Sequence, residues 1–276
     1  MNKPMTTAMF CMALLLGGLS SCTTNDVEDI QGGGEQDLYE IKDRALGEYL
    51  VYNCSRTDEN KLPYEMAVAE NGKFYLNTQK AATVENLYLV KNDAQIAKLE
   101  NAGLATAAVK IVDMDGLQFF TALKTLKITS NSVERMDLTA LTELETVEMN
   151  NNSVTALDLS QNTKLIRFRY GGNSAGDTST KLSTISFANN NVIEHIYLKN
   201  QNLQENGFIL PSNYAALKEL DLSNNPAAPF AIPEDLMTQL TTAVGVVADS
   251  EGGGGEDGEL FTCLLYTSPS PRDRSV

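Results

Sequence analysis

From residue 84 to residue 225 the apolar positions recur in one frame: an apolar residue, two variable ones, a second apolar residue, one variable, a third apolar residue, two variable, then Asn. Leu123, Leu126, Ile128 and Asn131 set it. Leu144, Val147, Met149 and Asn152 repeat it 21 residues later, and Leu165, Phe168, Tyr170 and Asn173 repeat it 21 later again. Leu182, Ile185, Phe187 and Asn190 follow after 17, which predicts one shortened turn, and Leu217, Leu220, Leu222 and Asn225 close the series. Val84, Leu87, Leu89 and Asn92 read as an earlier member, and Val109 and Ile111 stand where a degraded one would fall. Alternation in the central triplet predicts a short strand, because residues two apart share a face. The Asn side chain carries donors and an acceptor for backbone groups that cost about 1–3 kcal/mol each if buried unpaired. One unit cannot bury its own apolar side. Stacked units bury it for each other, so the pattern predicts in-register parallel strands over a continuous core.

A second ladder runs half a period out of phase. Met136 and Leu138, then Leu157 and Leu159, are 21 apart, and Ile196 and Leu198 lie 39 beyond Leu157. Twenty-one residues leave little room for a helix beside a strand and two bends, so the convex side is expected to be mainly extended or 3₁₀. Leu38, Ile41, Ala45, Tyr49 and Leu50 fall on one face at helical spacing. Pro63 predicts the opening of a second short helix, PYEMAVAE, and Asn71-Gly72 a turn before a strand at Phe74–Leu76. A helix is expected over residues 93–101, and another opening at Pro233 that would shield Leu222.

The nine-position frame resembles the leucine-rich repeat, in the short form found in bacterial surface proteins, internalin-like ones among them. The stretch from IKDRALGEYL through TVENLYL to DGLQFFTALKTL resembles the N-terminal cap and first repeat of secreted bacterial leucine-rich-repeat lipoproteins. The resemblance implies an α/β solenoid with a parallel β-sheet, a small helical N-terminal cap, and a ligand face on the outward side of the sheet. Caps of this kind can carry a calcium-like loop. Here residues 53–61 lack its turn Gly, its closing Glu and its alternating Asp, so no metal is expected.

The ends follow a different logic. Lys3, the apolar run from Met9 to Leu19 and the small residues after it have the form of a secretory signal. The run is too short to span a bilayer. Leu19-Ser20-Ser21-Cys22 resembles a lipobox, which implies acylation of Cys22; the alternative is ordinary cleavage near Ser21. The expected divisions are a signal at 1–21, a tether at 22–37, a cap at 38–83, repeats at 84–230, a C-terminal cap at 231–250 and a Gly-rich linker at 251–262. Asp26, Glu28 and Asp29 fit either a surface-export signal or a plain solvated linker. Residues 263–276 (CLLYTSPSPRDRSV) resemble a translated sequencing adapter and are set apart from the fold; the other reading is a Pro/Ser-rich tail. The expected location is the outer membrane, lipid-anchored and surface-exposed.

Composition narrows the chemistry. The 276 residues hold 36 acids against 21 bases, a net charge of −15, with one His, four Cys and no Trp. That balance argues against nucleic acid, which needs a basic face. With Cys11 in the signal, Cys22 acylated and Cys263 in the set-aside tail, Cys54 alone remains, so no disulfide framework is expected. His195 beside Glu194 has no nucleophile motif near it, and no GxSxG, HExxH or P-loop occurs. Neither an enzyme nor a cofactor is expected. Binding is the stronger reading, on a face that includes Lys127, Glu148, Arg167, Arg169, Ser186 and Asp221, with Asn131, Asn152, Asn173, Asn190 and Asn225 as a structural ladder. Arg167 and Arg169, two apart on one strand, form a positive spot able to hold a carboxylate or sulfate, unless Glu148 neutralises them across the sheet. The expected partner is a protein. A glycan, with Tyr197 as its aromatic contact, and a spacer role for a further domain are the alternatives.

Overall fold

The structure, a computed structural model, describes residues 37–56, 61–172 and 182–249. The signal, Cys22, most of the tether, residues 57–60, Asn173 and the segments after residue 249 lie outside the described residues.

The chain opens on a small α/β cap. Strands β1 (Leu38–Ile41), β2 (Ala67–Glu70) and β3 (Lys73–Asn77) form an antiparallel sheet in the order β1-β3-β2, with helix α1 (Arg44–Cys54) packed on it. Two expectations are corrected here. The apolar stripe from Leu38 to Leu50 is not one helix, because Asp43 caps α1 by accepting the Leu46 N–H at 2.9 Å and leaves Leu38–Ile41 to pair with β3. PYEMAVAE is not a helix either. Asn71 and Gly72 both hold positive φ, 53° and 77°, the geometry of a tight hairpin turn that zips residues 67–70 onto 73–77. Gly47 lets α1 sit close, since a Cβ there would lie 2.4 Å from the Phe74 ring. Helix α2 (Thr78–Ala81) leads into the repeats.

Seven short strands then stack in parallel: β4 (Asn86–Tyr88), β5 (Thr125–Lys127), β6 (Thr146–Glu148), β7 (Arg167–Arg169), β9 (His195–Tyr197), β11 (Glu219–Asp221) and β13 (Thr242–Val244). The central residues Leu87, Leu126, Val147, Phe168, Ile196, Leu220 and Ala243 stand in register, and Leu126, Val147 and Phe168 are fully buried. Burying each such side chain contributes about 1.5–3 kcal/mol, and each does so only against its neighbouring rungs. Helix α3 (Asp93–Asn101) fills the connection between β4 and β5, with Asn92 as its N-cap rather than as a ladder residue. Val109 and Ile111 form no strand; Val109 is exposed, and Ile111 is buried in the connection. A 3₁₀ turn at Leu117–Phe119 and runs of turns make up much of the connections between the strands.

The shortened turn is also corrected. Strands β8 (Ile185–Ser186) and β10 (Phe208–Ile209) are not in the large sheet but pair with each other as a two-stranded one. The next rung after β7 is β9, so Ile193, Ile196 and Leu198 continue the frame 28 residues on, with Gln201 where Asn was expected. The turn is lengthened: residues 182–190 belong to the second ladder, and Ile196 and Leu198, expected in that ladder, belong to the large sheet instead. Strands β12 (Phe230–Pro233) and β14 (Val246–Asp249) pair in parallel around α4 (Glu234–Gln239). Helix α4 forms where expected and packs on β12 and β14, while β13 lies beside Leu222, whose N–H donates to the Val244 carbonyl at 2.8 Å.

Candidate functional site

In β5, β6, β7, β9 and β11 the central residue is buried and its two neighbours stand half-buried on the other face. Register arranges those neighbours in two rows. One reads Asn86, Thr125, Thr146, Arg167, His195, Glu219, Thr242, and the other Tyr88, Lys127, Glu148, Arg169, Tyr197, Asp221, Val244. Lys127, Glu148, Arg167, Arg169 and Asp221 therefore share one face. Ser186 does not. It lies in β8, off this sheet, and His195 and Tyr197 stand beside Arg167 and Arg169 in its place.

Charge along the rows is unevenly paired. Lys127 Nζ lies 3.3 Å from a Glu148 carboxylate oxygen, and Lys127 also sits 6.0 Å from the Tyr88 ring centroid. Glu148 thus answers Lys127 rather than the arginines. Arg169 places its guanidinium 4.5 Å from the Tyr197 ring centroid, a cation–π contact that fixes its direction. Among the described residues neither Arg167 nor Arg169 has a carboxylate within 4.0 Å, and the Arg169 Nε is buried without an acceptor.

Beside them lies a cluster no single repeat contains. The His195 Nδ1 is 2.7 Å from the Glu219 carboxylate, which also accepts the Tyr197 hydroxyl. The His195 and Tyr197 rings are stacked, 6.5 Å apart and 3° from parallel. The Tyr197 hydroxyl bond, working against partial burial and joined by the His195 bond and the Arg167 charge, holds the Glu219 carboxyl below its usual range. Burial and the adjoining carboxylate push the Tyr197 phenol up. Glu194 is 3.6 Å from His195 Nε2 and 2.8 Å from Lys218 Nζ. Asp221 accepts the Ser223 N–H and hydroxyl on one oxygen, at 3.0 and 2.6 Å.

The ladder residues sit behind the sheet. Asn131 donates to the Leu89 carbonyl at 2.7 Å and accepts the Ile111 N–H at 3.1 Å. Asn152 donates to Ile128 and Met149 and accepts Val133 N–H, and Asn225 donates to Leu198 and Leu222 and accepts Leu203 N–H. Gln201 does the same between Tyr170 and Leu182, a member that reading for Asn alone misses. Asn190 is not in this ladder. With Asn162 it builds a second one, Asn162 donating to Leu138 and Leu141 and Asn190 to Leu159 and Asn162.

Cys54 is buried in the cap, where burial pushes its thiol up despite the Ala67 N–H it accepts at 3.4 Å. Among the described residues no three His, Cys, Asp or Glu side chains cluster to hold a metal, and no helix is long and apolar enough to cross a membrane.

No protein-family model matches the sequence, and no curated protein matches it. Among solved structures the chain is similar to the functional domain of InlJ from Listeria monocytogenes, a domain described as including a cysteine ladder. The TM-score is 0.43 and the identity 16%, over 75% of this chain and 46% of that one. The chain thus spans about half the length of that structure.

Proposed function

We propose that this chain is a non-catalytic binding module, a leucine-rich-repeat lipoprotein anchored through acylated Cys22 at a bacterial outer membrane, whose seven-stranded sheet contacts a protein partner. The observation that carries the binding reading is the Arg167–Arg169 pair, which contacts no carboxylate among the described residues on a face where Lys127, Glu148 and Glu219 are all engaged. A protein fits this face better than a glycan, because the Tyr197 ring already carries Arg169 and lies against His195 instead of standing open for a sugar. The non-catalytic reading is supported by His195, whose two ring nitrogens face Glu219 and Glu194, and by the burial of Cys54. Anchoring is supported by the lipobox-like Leu19–Cys22.

The test is a block on each side of the coil. Thr146→Trp puts bulk on the sheet face, whereas Thr184→Trp puts it on the exposed second ladder. Capture of protein from host-cell or envelope extract should be lost with the first and kept with the second. Retained capture by Thr146→Trp, or binding only on a glycan array, would overturn the reading.

A further inference from the structure

We infer that the β7–β9–β11 part of the sheet face is a clamp for an extended peptide of mixed charge, carboxylates on Arg167 and Arg169 and a Lys or Arg on Asp221. The inference rests on the sheet-face reading above and adds the chemistry of the ligand.

Three observations carry it. First, the arginines are donors without acceptors. Arg169 is already directed by the Tyr197 ring, so its planar fork is ordered before a ligand arrives, and neither guanidinium bonds a carboxylate among the described residues. Second, the carboxylates nearest them are committed elsewhere. Glu148 is held by Lys127, Glu219 by His195 and Tyr197, and Glu194 by Lys218, so Arg167 acts on Glu219 and Glu194 only at a distance and none of the three closes a contact pair with the arginines. Third, the same row carries a carboxylate with spare capacity two strands from Arg169. Ser223 takes one oxygen of Asp221, and the other has no partner among the described residues.

Strand spacing sets the ligand's dimensions. Arg167 and Arg169 are two residues apart on β7, about 6.6 Å, which matches alternate side chains of an extended peptide such as Glu-x-Glu. Strands β7 and β11 are separated by β9 alone, so Asp221 lies about 10 Å from Arg169 at right angles to the strand, a span the ligand crosses by turning after its extended Glu-x-Glu run, which a Gly before the Lys permits. A polyanionic chain is disfavoured. The cationic spot is a single strand wide, Glu148, Glu219 and Asp221 flank it, and the whole chain carries −15. A peptide with two carboxylates beside a cation satisfies both signs at once.

The experiment is fluorescence anisotropy of the full chain with a labelled peptide containing Glu-Ser-Glu-Gly-Lys. Controls are its Gln-Ser-Gln-Gly-Lys counterpart, heparin as a sulfated polyanion, and inorganic sulfate as competitor. The acidic peptide should bind, and Arg167→Gln and Arg169→Gln should each weaken it about tenfold or more. Arg169→Lys should weaken it nearly as much, because charge without the planar fork does not restore two-point contact. Asp221→Asn should weaken the Lys-bearing peptide more than one ending in Gly. On the unaltered protein, the peptide should protect both arginines from phenylglyoxal, a readout that needs no variant to fold. Equal binding of the Gln peptide, unchanged binding by the double Gln variant, or tighter Arg-dependent binding of heparin would each overturn the clamp. If Thr146→Trp abolishes partner capture while the arginine variants leave it intact, the sheet face stands and the ligand chemistry falls. If neither set changes capture, the sheet-face reading itself falls.

Discussion

Just ahead of the ladder amide, four rungs place a residue at positive φ: Ser130 at 60°, Asn151 at 61°, Asn200 at 57° and Asn224 at 57°. The left-handed conformation turns the chain out of the strand and brings the following amide, Asn131, Asn152, Gln201 or Asn225, back against the preceding rung. Two adjacent Asn residues therefore do different work. Asn151 tolerates a backbone that most side chains resist, and Asn152 supplies hydrogen bonds to three buried backbone groups. Asn152→Ala leaves those groups unpaired at about 1–3 kcal/mol each, so its melting temperature should fall by several degrees. Asn151→Gly keeps the conformation and should leave the melting temperature nearly unchanged, whereas Asn151→Ala should cost about 1 kcal/mol from the backbone alone. Equal losses in Asn152→Ala and Asn151→Gly, compared by thermal denaturation, would contradict this division.

A rung is stable only through its neighbours. Leu126 stands fully buried between Leu87 and Val147, so Leu126→Ala should cost about 2–5 kcal/mol, read from the midpoint of urea unfolding. The cap meets the first rungs through a shared apolar core, Leu46 and Leu76 with Leu87 and Leu117, and through carboxylates beside it. Burial opposes ionisation of Glu48, but the hydroxyl and N–H of Thr106, each at 2.8 Å, together with Arg44, outweigh it and hold the carboxyl below its usual value. A carboxylate with a depressed folded pKa lends stability that is fully present above its unfolded value and is lost as pH falls through the folded one. Unaltered protein should lose melting temperature between about pH 5 and pH 3 more steeply than Glu48→Gln. Parallel pH profiles would remove Glu48 from the acid response. The strand triplets were readable because an alternation of two inside a spacing of about 21 has one packing solution. What the frame does not encode is the side of the coil. Leu157-x-Leu159-x-x-Asn162 and Ile185-x-Phe187-x-x-Asn190 share its form and sit off the large sheet, while the true rung ends in Gln201. Only the matched spacing separates them, 28 residues from Leu165 to Ile193 and again from Leu157 to Ile185. The same displacement hid the site. Arg167 and Arg169 were visible as neighbours on one strand, but His195 and Tyr197 meet Glu219 only once β9 is placed beside β11. In the cap, Leu38–Ile41 fits a helical stripe and a strand equally, and Asp43 decides between them.

Over the whole molecule two electrostatic effects compete. Lys124–Glu85 at 3.1 Å, Lys164–Glu143 at 2.6 Å and Lys218–Glu194 at 2.8 Å join successive turns along the coil. Each is largely exposed, and such pairs contribute about 0–1 kcal/mol. Against them stands the net charge of −15, whose mutual repulsion acts over longer distances and opposes the compact state. Salt separates the two by range. Raising NaCl from about 0.01 M to about 0.1 M shortens the screening length from about 30 Å to about 10 Å. Pairs in contact near 3 Å keep most of their attraction, while repulsion between charges on distant rungs is largely screened. The melting temperature at pH 7 should therefore rise over that interval. A fall would mean that the cross-turn pairs outweigh the repulsion, and Glu143→Gln, which removes the Lys164 pair while making the net charge less negative, distinguishes the cases. If repulsion governs, that variant melts higher than the unaltered protein at the low-salt end; if the pairs govern, it melts lower there, and in either case the difference shrinks as salt is added.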